Sequence, residues 1–375
     1  MNHLHIITFD IPYPANYGGA IDVFYRIKAL HDAGIKIILH CWYKENRTTE
    51  PILESLCEKV YYYKRKINVI NQLHIKPYSV LSRTSNNLLN NLLQDNYPIL
   101  FEGLVSCYYL NNKKLKDRIK IFRECNVEHD YYYELAKASS KANDKLYFLI
   151  EALKLKFYEK VITKANYILA LSHNDEKYFL KQYPQVPTIY LPCAHTNNEV
   201  KINEGKGDYI LYHGNLAVAE NEKAAIYLCD NVFSKLKNIK CIIAGRNPQK
   251  ILQNKIQQYQ NIELIANPNE ETMIRLINEA HIHILITFQN TGLKLKLLNT
   301  IFNGRHIIAN DTMINGSGAE SICHIANTSK FQIEECIKLM NIPFNITEII
   351  KRKELLHSTF SNQQQAKIIS KLIQN

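Results

Sequence analysis

The residues best suited to chemistry in this sequence stand in four short segments that mix glycine with cationic, carboxylate or amide side chains. In residues 14–22 (PANYGGAID), Gly18 and Gly19 open a predicted helix and would leave backbone N–H groups pointing at a phosphate. A tight strand-to-helix turn that needs glycine only for its dihedral angles accounts for the same pattern equally well. The segment is not a P-loop, because no Gly-Lys-Ser/Thr sequence follows it.

The second segment, residues 212–221 (YHGNLAVAEN), forms the equivalent turn in the second half of the chain. Gly214 follows a predicted strand. An ordinary turn is again as good an interpretation as a ligand site.

The third segment, residues 289–299 (QNTGLKLKLLN), places Gly292 at the entry to a helix that carries Lys294 and Lys296. A lysine in the first helical turn opposes the helix dipole, and a bound pyrophosphate would remove that conflict. A lysine that is simply solvated is the ordinary alternative. We therefore expect this helix entry to bind an anion.

The fourth segment, residues 123–133 (RECNVEHDYYY), follows a predicted strand and is unusually polar. A strand-end loop of this composition could hold sugar hydroxyls, or it could be a solvated loop with its own Asx-turns. Glu102 also ends a predicted strand and could accept hydrogen bonds from a sugar.

Buried strands and amphipathic helices must alternate to position these segments, and the sequence shows that alternation from its start. Residues 4–9 read as a strand, residues 20–33 as a helix closed by Gly34, and residues 35–41 as the next strand. This order predicts an α/β fold with parallel sheets. In such sheets ligands bind beyond the carboxyl ends of the strands, which is where all four segments fall.

The alternation stops once, in residues 193–208, and then restarts. A length of 375 residues suits two domains. We therefore predict a first Rossmann-like domain over residues 1–192, a linker over 193–208, a second over 209–345 and a C-terminal helical segment over 346–375.

Composition limits the partners and the compartment. The net charge is +11, which favours acidic partners: nucleic acid, an anionic membrane surface or a phosphorylated substrate. The nine cysteines include no C-x-x-C pair, so we expect neither disulfides nor zinc but a reducing cytoplasm. We predict neither a signal peptide nor a membrane-spanning helix, so a membrane would be contacted only at its inner surface.

Two basic stretches in the first half bear on which acidic partner the protein contacts. Residues 61–66 read YYYKRK, and residues 150–164 form a predicted basic amphipathic helix with Lys154, Lys156 and Lys160. Solvated lysines explain the helix, and so does docking on anionic lipid. RNA binding by the tyrosine-rich stretch is disfavoured because RRM, KH and OB signatures are absent, and we expect no nucleic-acid partner.

Taken in order, the four segments resemble the retaining family 4 glycosyltransferases of the GT-B fold. DIPYPANYGG resembles the glycine-rich loop of that family, RECNVEH its R-x-H-N-x-E-H motif, and YHGNLAVAEN its donor-domain turn. TGLKLKLLNTIFNGRHIIAND resembles its G-x-x-x-K-x-L-E-A…G-x-P-V-V-A-T signature. The resemblance implies two Rossmann-like domains with parallel sheets facing across a cleft, and a C-terminal helix that packs back toward the N-terminal domain.

The resemblance also implies roles for individual residues. Its donor-binding residues would be Gly214, Asn215, Asn221, Arg246, Thr291, Gly292, Leu293, Lys294, Lys296 and Asn299. Its acceptor-binding residues would be Tyr17, Glu102, Arg123, Cys125 and His129. Its catalytic residues would be Gly18, Gly19, Asn126, Glu128 and Lys296.

The chain departs from the family at three of these positions. Asn299 replaces the glutamate that binds the donor ribose, Thr291 replaces an earlier acidic residue, and Cys125 replaces a histidine. A neutral amide bonds a hydroxyl more weakly than a carboxylate does, and a thiol cannot reproduce the hydrogen bonds of a histidine. The departures leave the donor open and allow a catalytically weak or silent binding partner as the alternative function.

The implied reaction transfers a hexose-type sugar from UDP or GDP, with retention, to a saccharide or lipid-linked acceptor during surface glycan assembly. Cations and helix N-termini would stabilise the leaving diphosphate, so no dedicated protein nucleophile is needed. No D-x-D motif stands in a suitable context, so we expect no metal ion and no cofactor.

Overall fold

The computed structural model describes residues 2–44, 51–139, 141–289 and 295–374. These residues form two compact units. The first comprises residues 2–196 and 360–374 of the described part, and the second comprises residues 197–289 and 295–359. The chain thus leaves its first unit, builds the second, and returns to the first at its end.

The first unit is built on a parallel sheet with strand order β3-β2-β1-β4-β5-β6-β7. Its strands are β1 (His3–Ile7), β2 (Lys36–Tyr43), β3 (Lys59–Lys64), β4 (Ile99–Glu102), β5 (Lys120–Arg123), β6 (Tyr167–Ala170) and β7 (Thr188–Tyr190). Its first seven helices are α1 (Gly18–Asp32), α2 (Pro51–Leu56), α3 (Tyr78–Leu81), α4 (Asn86–Leu92), α5 (Glu128–Ala138), α6 (Ala142–Tyr158) and α7 (His173–Gln182). The strand order reverses between β1 and β4, which is the topological switch point of a Rossmann-like sheet.

The second unit repeats this plan with the strand order β10-β9-β8-β11-β12-β13. Its strands are β8 (Tyr209–Asn215), β9 (Lys240–Arg246), β10 (Ile262–Ala266), β11 (Ile282–Leu285), β12 (His306–Ala309) and β13 (His324–Ile325). Its helices are α8 (Ala219–Asn231), α9 (Lys250–Ile256), α10 (Glu270–Glu279), α11 (Leu295–Asn303), α12 (Asp311–Ile314), α13 (Ser329–Leu339) and α14 (Ile346–Leu355). Here the switch point lies between β8 and β11.

Apolar runs explain why these strands lie inside. Strand β4 reads ILFE and strand β12 reads HIIA, and every residue of both is buried. Such continuous burial is typical of parallel strands covered by helices on both faces. In the first unit, one layer contains Leu4, Val23 and Leu39, and the opposite layer contains Trp42 and Phe101.

The end of the chain completes the core of the first unit. After a π-helical turn at Leu356–Phe360, the last helix, α15 (Asn362–Leu372), packs against α1. Ala366 and Ile369 of α15 are buried in the same cluster as Ile27 and Leu30 of α1. The prediction that the C-terminal helix packs back onto the N-terminal domain is therefore confirmed.

Most predicted element positions agree with the structure, and the differences lie at strand ends. Gly34 closes α1 with a φ of 79°, as predicted. The prediction of a polar loop over residues 123–133 is wrong, because α5 begins at Glu128 and only residues 124–127 connect it to β5. Gly214 and Asn215 belong to β8 rather than to the turn after it. None of the described helices is long and apolar enough to cross a bilayer.

Candidate functional site

The switch point of the second unit brings together a group of residues that we call the lysine cluster. Its members lie on β8, in the first turn of α8, on α11 and in the chain after β11: Tyr212, His213, Glu220, Asn221, Thr287, Lys296 and Thr300. Lys296 is the second residue of α11, and no acidic residue stands in the first turn of that helix. The predicted conflict between a first-turn lysine and the helix dipole is therefore present in the fold.

Tyr212 and Asn221 fix the position of the Lys296 ammonium. Its Nζ donates a hydrogen bond of 2.9 Å to Oδ1 of Asn221 and lies 3.4 Å from the hydroxyl oxygen of Tyr212. The same Nζ stands 5.1 Å from the centroid of the Tyr212 ring. A buried ring face and an amide oxygen both attract a cation, so the two residues aim the charge toward the carboxyl end of β8.

Asn221 is held by the strand end that precedes it. Its Nδ2 donates to the carbonyl oxygen of Asn215 at 3.0 Å, while the Tyr212 hydroxyl donates to the backbone carbonyl of Asn221, also at 3.0 Å. A Cβ added to Gly214 would lie 3.4 Å from Cγ of Asn221. The structure thus brings Gly214, Asn215, Asn221 and Lys296 together, and their role in binding a donor stays a prediction.

Arg246 ends the neighbouring strand, where it pairs with Asn215 across the sheet. Its side chain is exposed, and the chain turns sharply after it at Asn247, which has a φ of 51°. Arg246 therefore stands at the same sheet edge as Lys296. Its role as a donor-binding residue stays a prediction.

Glu220 and Thr287 belong to this cluster although the sequence reading did not single them out. Oε1 of Glu220 accepts hydrogen bonds from the Thr287 hydroxyl at 2.8 Å and from the Phe288 backbone N–H at 2.5 Å. The Asn310 side chain also holds Thr287: its Oδ1 accepts from the Thr287 backbone N–H, and its Nδ2 donates to the Thr287 carbonyl oxygen. Glu220 lies in the first turn of α8, two residues after Val218. Acidic residues are common there because they interact favourably with the helix dipole, so its sequence position alone did not indicate a role in this cluster.

His213 supports α11 from beneath the lysine. Its Nε2 lies 2.9 Å from the Thr300 hydroxyl, which donates to the carbonyl oxygen of Lys296 at 2.8 Å. Burial, and then the nearby Lys296 charge, lower the pKa of His213 to about 3. His213 is therefore a neutral hydrogen-bonding partner at ordinary pH.

The remaining predicted donor residues are placed differently. Asn299 lies on α11, and its Oδ1 accepts a hydrogen bond of 2.9 Å from Asn303. Asn303 also donates to Oδ1 of Asn197 at 2.8 Å. Thr291, Gly292, Leu293 and Lys294 lie outside the described residues.

In the first unit, Gly18 and Gly19 begin α1 after β1, as predicted. A Cβ added to Gly19 would lie 2.7 Å from Cζ of Phe9, so a close ring explains why glycine suits this position. Tyr17, which precedes the helix, donates from its hydroxyl to Asp10 at 2.9 Å. Tyr17 remains partly exposed at this edge, where an acceptor could reach it.

Four charged side chains at the same switch point pair with one another, and we call them the buried charge cluster: Asp22, Arg26, Glu102 and Arg123. Arg26 pairs with Asp22, and its Nε donates to Glu102 at 2.9 Å. Arg123 lies 3.3 Å from Asp22 and donates to the carbonyl oxygens of Leu169 and Pro192. Burial alone would raise the pKa of Asp22, but Arg26 and Arg123 hold it below its ordinary value.

This pairing corrects the expectation that Glu102 and Arg123 contact an acceptor. Both side chains are completely buried, so neither can meet a ligand in this arrangement. They are internal ion-pair partners because each carries its charge into a core where only an opposite charge compensates for lost hydration. Cys125 is also buried, and burial, with Glu102 next, raises the pKa of its thiol well above the ordinary value.

Glu128 and His129 stand at the start of α5. A Cβ on Gly103 would lie 3.9 Å from Oε1 of Glu128, which places this carboxyl group at the carboxyl end of β4. Burial raises the pKa of Glu128 to about 7, while Arg83 opposes the shift and Glu159 adds to it. His129 Nδ1 lies 3.3 Å from Oε2 of Glu159, without hydrogen-bond geometry.

Asn126 lies in the four-residue connection just before α5. Its Oδ1 is buried and has no hydrogen-bond partner among the described residues. Asn126 and Glu128 thus remain together near the switch point, and their catalytic roles stay predictions. The described residues contain no group of three or more His, Cys, Asp or Glu side chains suited to a metal ion.

Comparison with known proteins gives one relative by sequence. The chain is 27% identical over 335 residues, 85% of each sequence, to an uncharacterized 44.6 kDa protein in the cps region of Klebsiella pneumoniae. No family model matches the sequence.

Solved structures resemble the chain over its whole length. The chain and TarM share 11% identity with a TM-score of 0.69, covering 100% of this chain and 99% of that one. Sucrose-phosphate synthase from Thermosynechococcus elongatus shares 12% identity with a TM-score of 0.69, and the match covers 100% of this chain and 98% of that one. HepE from Anabaena, solved with UDP and glucose, shares 9% identity with a TM-score of 0.66, and the match covers 100% of both chains. These structures have the GT-B fold, and the prediction that this chain shares it is confirmed: the protein is a two-unit α/β protein of the GT-B fold.

Proposed function

We propose that the protein is a glycosyltransferase of polysaccharide assembly, which moves a hexose-type sugar from a UDP- or GDP-sugar to a saccharide or lipid-linked acceptor. The fold supports this proposal, because HepE carries UDP and glucose in a structure of the same fold. The relative in the cps region of Klebsiella pneumoniae supports polysaccharide assembly as the setting. A cytoplasmic location belongs to the same proposal, in keeping with nine cysteines that form no disulfide.

The lysine cluster is the observation that carries the proposal. Lys296 stands in the first turn of α11, where Asn221 and Tyr212 hold its ammonium at the carboxyl end of β8. Helix N–H groups and a fixed cation at a switch point suit a diphosphate. The helix dipole disfavours a lysine at this position, and a bound diphosphate would offset that effect beyond the contacts with Asn221 and Tyr212.

In the reaction, the bond between the anomeric carbon and the diphosphate oxygen breaks while the acceptor oxygen bonds to that carbon on the same face. The hydroxyl proton of the acceptor passes to the departing diphosphate. Lys296 stabilises the negative charge that develops on the diphosphate, and its preset position makes that stabilisation effective. Retention and independence from metal ions are parts of this proposal.

On the acceptor side, Glu128 is the strongest candidate to orient the hydroxyl group. Its carboxyl group lies at the end of β4 and has a pKa of about 7, so both protonation states are populated near neutrality. A group of that pKa can accept or donate a hydrogen bond to a sugar as the reaction requires.

A second function, binding without turnover, is favoured by one contact. The Asn299 amide oxygen is engaged by Asn303, so the side chain that stands in place of a ribose-binding glutamate is held within α11. A protein that binds nucleotide and transfers no sugar would fit that arrangement.

A thermal-shift series tests the proposal. Addition of UDP or GDP, but not both equally, should raise the melting temperature of the wild-type protein, with ADP and CDP as comparisons. In Lys296→Ala the affinity should fall about 10–100-fold, equivalent to about 1.4–2.7 kcal/mol. Lys338→Ala is the matched control, because Lys338 is an exposed helical lysine paired only on the surface with Glu335. If no nucleotide stabilises the wild type, the proposal is overturned.

Turnover separates the two functions. Labelled UDP-glucose and GDP-mannose are offered with polyprenyl-phosphate-linked saccharide acceptors. Transfer that Lys296→Ala loses and Lys338→Ala keeps supports the transferase. If a nucleotide stabilises the protein but no donor is either transferred or slowly hydrolysed, the silent binding partner is supported.

A further inference from the structure

An exposed apolar stripe runs along α6 in the first unit. Its members are spaced three or four residues apart and so share one face of the helix: Leu146, Leu149, Ile150, Leu153 and Phe157. Leu153 is 57% exposed and Phe157 is 66% exposed. Large apolar side chains gathered in this way on a protein surface mark a site of interaction.

The stripe lies on the side of α6 that faces away from the protein. The inward side carries Ala152 and Leu155, together with Glu151, and all three are buried. Glu151 binds the start of α3, since its carboxylate accepts from the backbone N–H groups of Tyr78 and Ser79. The helix is therefore already packed and anchored on one side, and the stripe is not needed for its folding.

A second apolar group lies beside the stripe, around the 3-10 helix Val69–Leu73. Leu73 and Ile75 are 89% and 90% exposed, and Ile67 and Ile70 are also exposed. Nζ of Lys154 on α6 donates to the Gln72 carbonyl oxygen at 2.5 Å, which joins the two groups into one surface. We call this surface the α6 patch.

Exposed positive charges outnumber exposed negative ones around the α6 patch, although Asp144 in the first turn of α6 is an exposed acidic residue. Residues 59–94 contain six Lys or Arg and no Asp or Glu. Between Lys145 and Lys164 the acidic residues are Glu151 and Glu159, and both are buried. Lys145, Lys156 and Lys160 are exposed. Exposed apolar side chains with a positive rim complement a bilayer whose headgroups are negative.

We propose that the α6 patch docks the protein on an anionic lipid bilayer, with Leu153, Phe157, Leu73 and Ile75 inserted at the headgroup boundary. The exposed lysines contact lipid phosphates. The inference does not depend on the proposed transfer reaction, because docking is measured without a nucleotide or an acceptor.

Flotation with vesicles tests the inference. The full-length protein should float with phosphatidylcholine vesicles that contain phosphatidylglycerol, and much less with phosphatidylcholine alone. Leu153→Gln/Phe157→Gln and Leu73→Gln/Ile75→Gln should each weaken binding about tenfold or more, because inserted apolar area is lost. Lys156→Gln/Lys160→Gln should weaken binding at low salt and have less effect at high salt.

The matched control is Phe331→Gln/Ile337→Gln on α13 of the second unit. These two side chains are 55% and 51% exposed, so the control removes a similar exposed apolar area elsewhere. It should float like the wild type. None of the changed side chains is buried, so we expect all variants to melt at the wild-type temperature. Equal melting temperatures would show that all variants are folded.

Two results would overturn the inference. One is a wild-type protein that does not float with phosphatidylglycerol vesicles, or whose α6 variants float as well as it does. The other is a wild-type dimer, seen by sedimentation, that the α6 variants turn into monomers, because the patch would then bind a second copy of the chain.

Discussion

The two switch points use charge in opposite ways. At β1 and β4, Asp22 and Glu102 meet Arg26 and Arg123, so the buried charge cluster contains equal numbers of acids and bases. At β8 and β11, the Lys296 ammonium is held by the neutral oxygens of Asn221 and Tyr212.

The difference separates charges that hold a fold together from charges that can meet a ligand. A buried ion pair cancels its own field and offers little to a substrate. The Lys296 ammonium lies in the first turn of α11, where its hydrogen bonds to Asn221 and Tyr212 position it for an anion. Similar sheets can thus place charged residues at the same topological position for structural reasons in one unit and for binding in the other.

The largest expected effect comes from breaking the buried charge cluster. Arg123→Ala should lower the free energy of unfolding by about 3–5 kcal/mol, because Asp22 loses a buried partner. Urea denaturation measures the loss. Lys351→Ala, which removes an exposed pair with Glu348, serves as the control and should cost less than about 1 kcal/mol. A cost below about 1 kcal/mol for Arg123→Ala would remove the contrast between the two clusters.

The next effect depends on pH and concerns Glu128. Its folded pKa of about 7 lies above the ordinary value of 4.5, so the folded protein binds this proton more tightly than the unfolded chain does. Stability from this group is present at low pH and is lost as the pH rises through 7. Relative to Glu128→Gln, the wild type should lose up to about 3 kcal/mol between pH 5 and pH 8.

Denaturation of both proteins at several pH values measures that difference. Glu134→Gln provides the control, since Glu134 forms an exposed pair with Lys137 on the same helix. Parallel pH profiles for wild type and Glu128→Gln would contradict the assigned pKa.

A smaller effect is expected at Gly19, the second residue of α1, and at Gly214, which lies near the end of β8. In Gly19→Ala the new Cβ meets the Phe9 ring at 2.7 Å, so stability should fall by about 1–2 kcal/mol. In Gly214→Ala the nearest atom is 3.4 Å away, and the change should stay within about 0.5 kcal/mol. Thermal denaturation measures both. Gly19→Ala should cost less in a Phe9→Leu background, and an unchanged cost would show that the ring is not responsible.

The smallest effect sharpens the description of the lysine cluster. Asn221→Ala removes the acceptor that positions Lys296 but keeps the ammonium, so nucleotide affinity should fall about fivefold, equivalent to about 1 kcal/mol. Titration calorimetry with the nucleotide that stabilises the wild type measures the change. Asn231→Ala at the end of the same helix is the control. A loss as large as that of Lys296→Ala would show that Asn221 itself contacts the ligand.

Sequence reading located the edges at which the candidate residues gather but not the state of each side chain. Gly214, Asn221 and Lys296 lie in segments that were predicted as donor-binding turns, and the fold brings them together, with Gly214 inside β8 rather than after it. Glu102 and Arg123 lie at strand ends and are buried. Nothing in their local sequence distinguishes the two outcomes, since the partners Asp22 and Arg26 come from a helix far earlier in the chain.

The sequence by itself determined the two parallel α/β units, because apolar strand runs and helical spacing are local patterns that a short window contains. It also determined the position of Lys296 in a first helical turn. Only the tertiary structure decided which charges cancel, which side of α6 faces outward, and that Glu220 joins the lysine cluster. Those properties depend on partners that are distant in sequence, and a side chain's burial and pKa follow from the groups that surround it rather than from its neighbours along the chain.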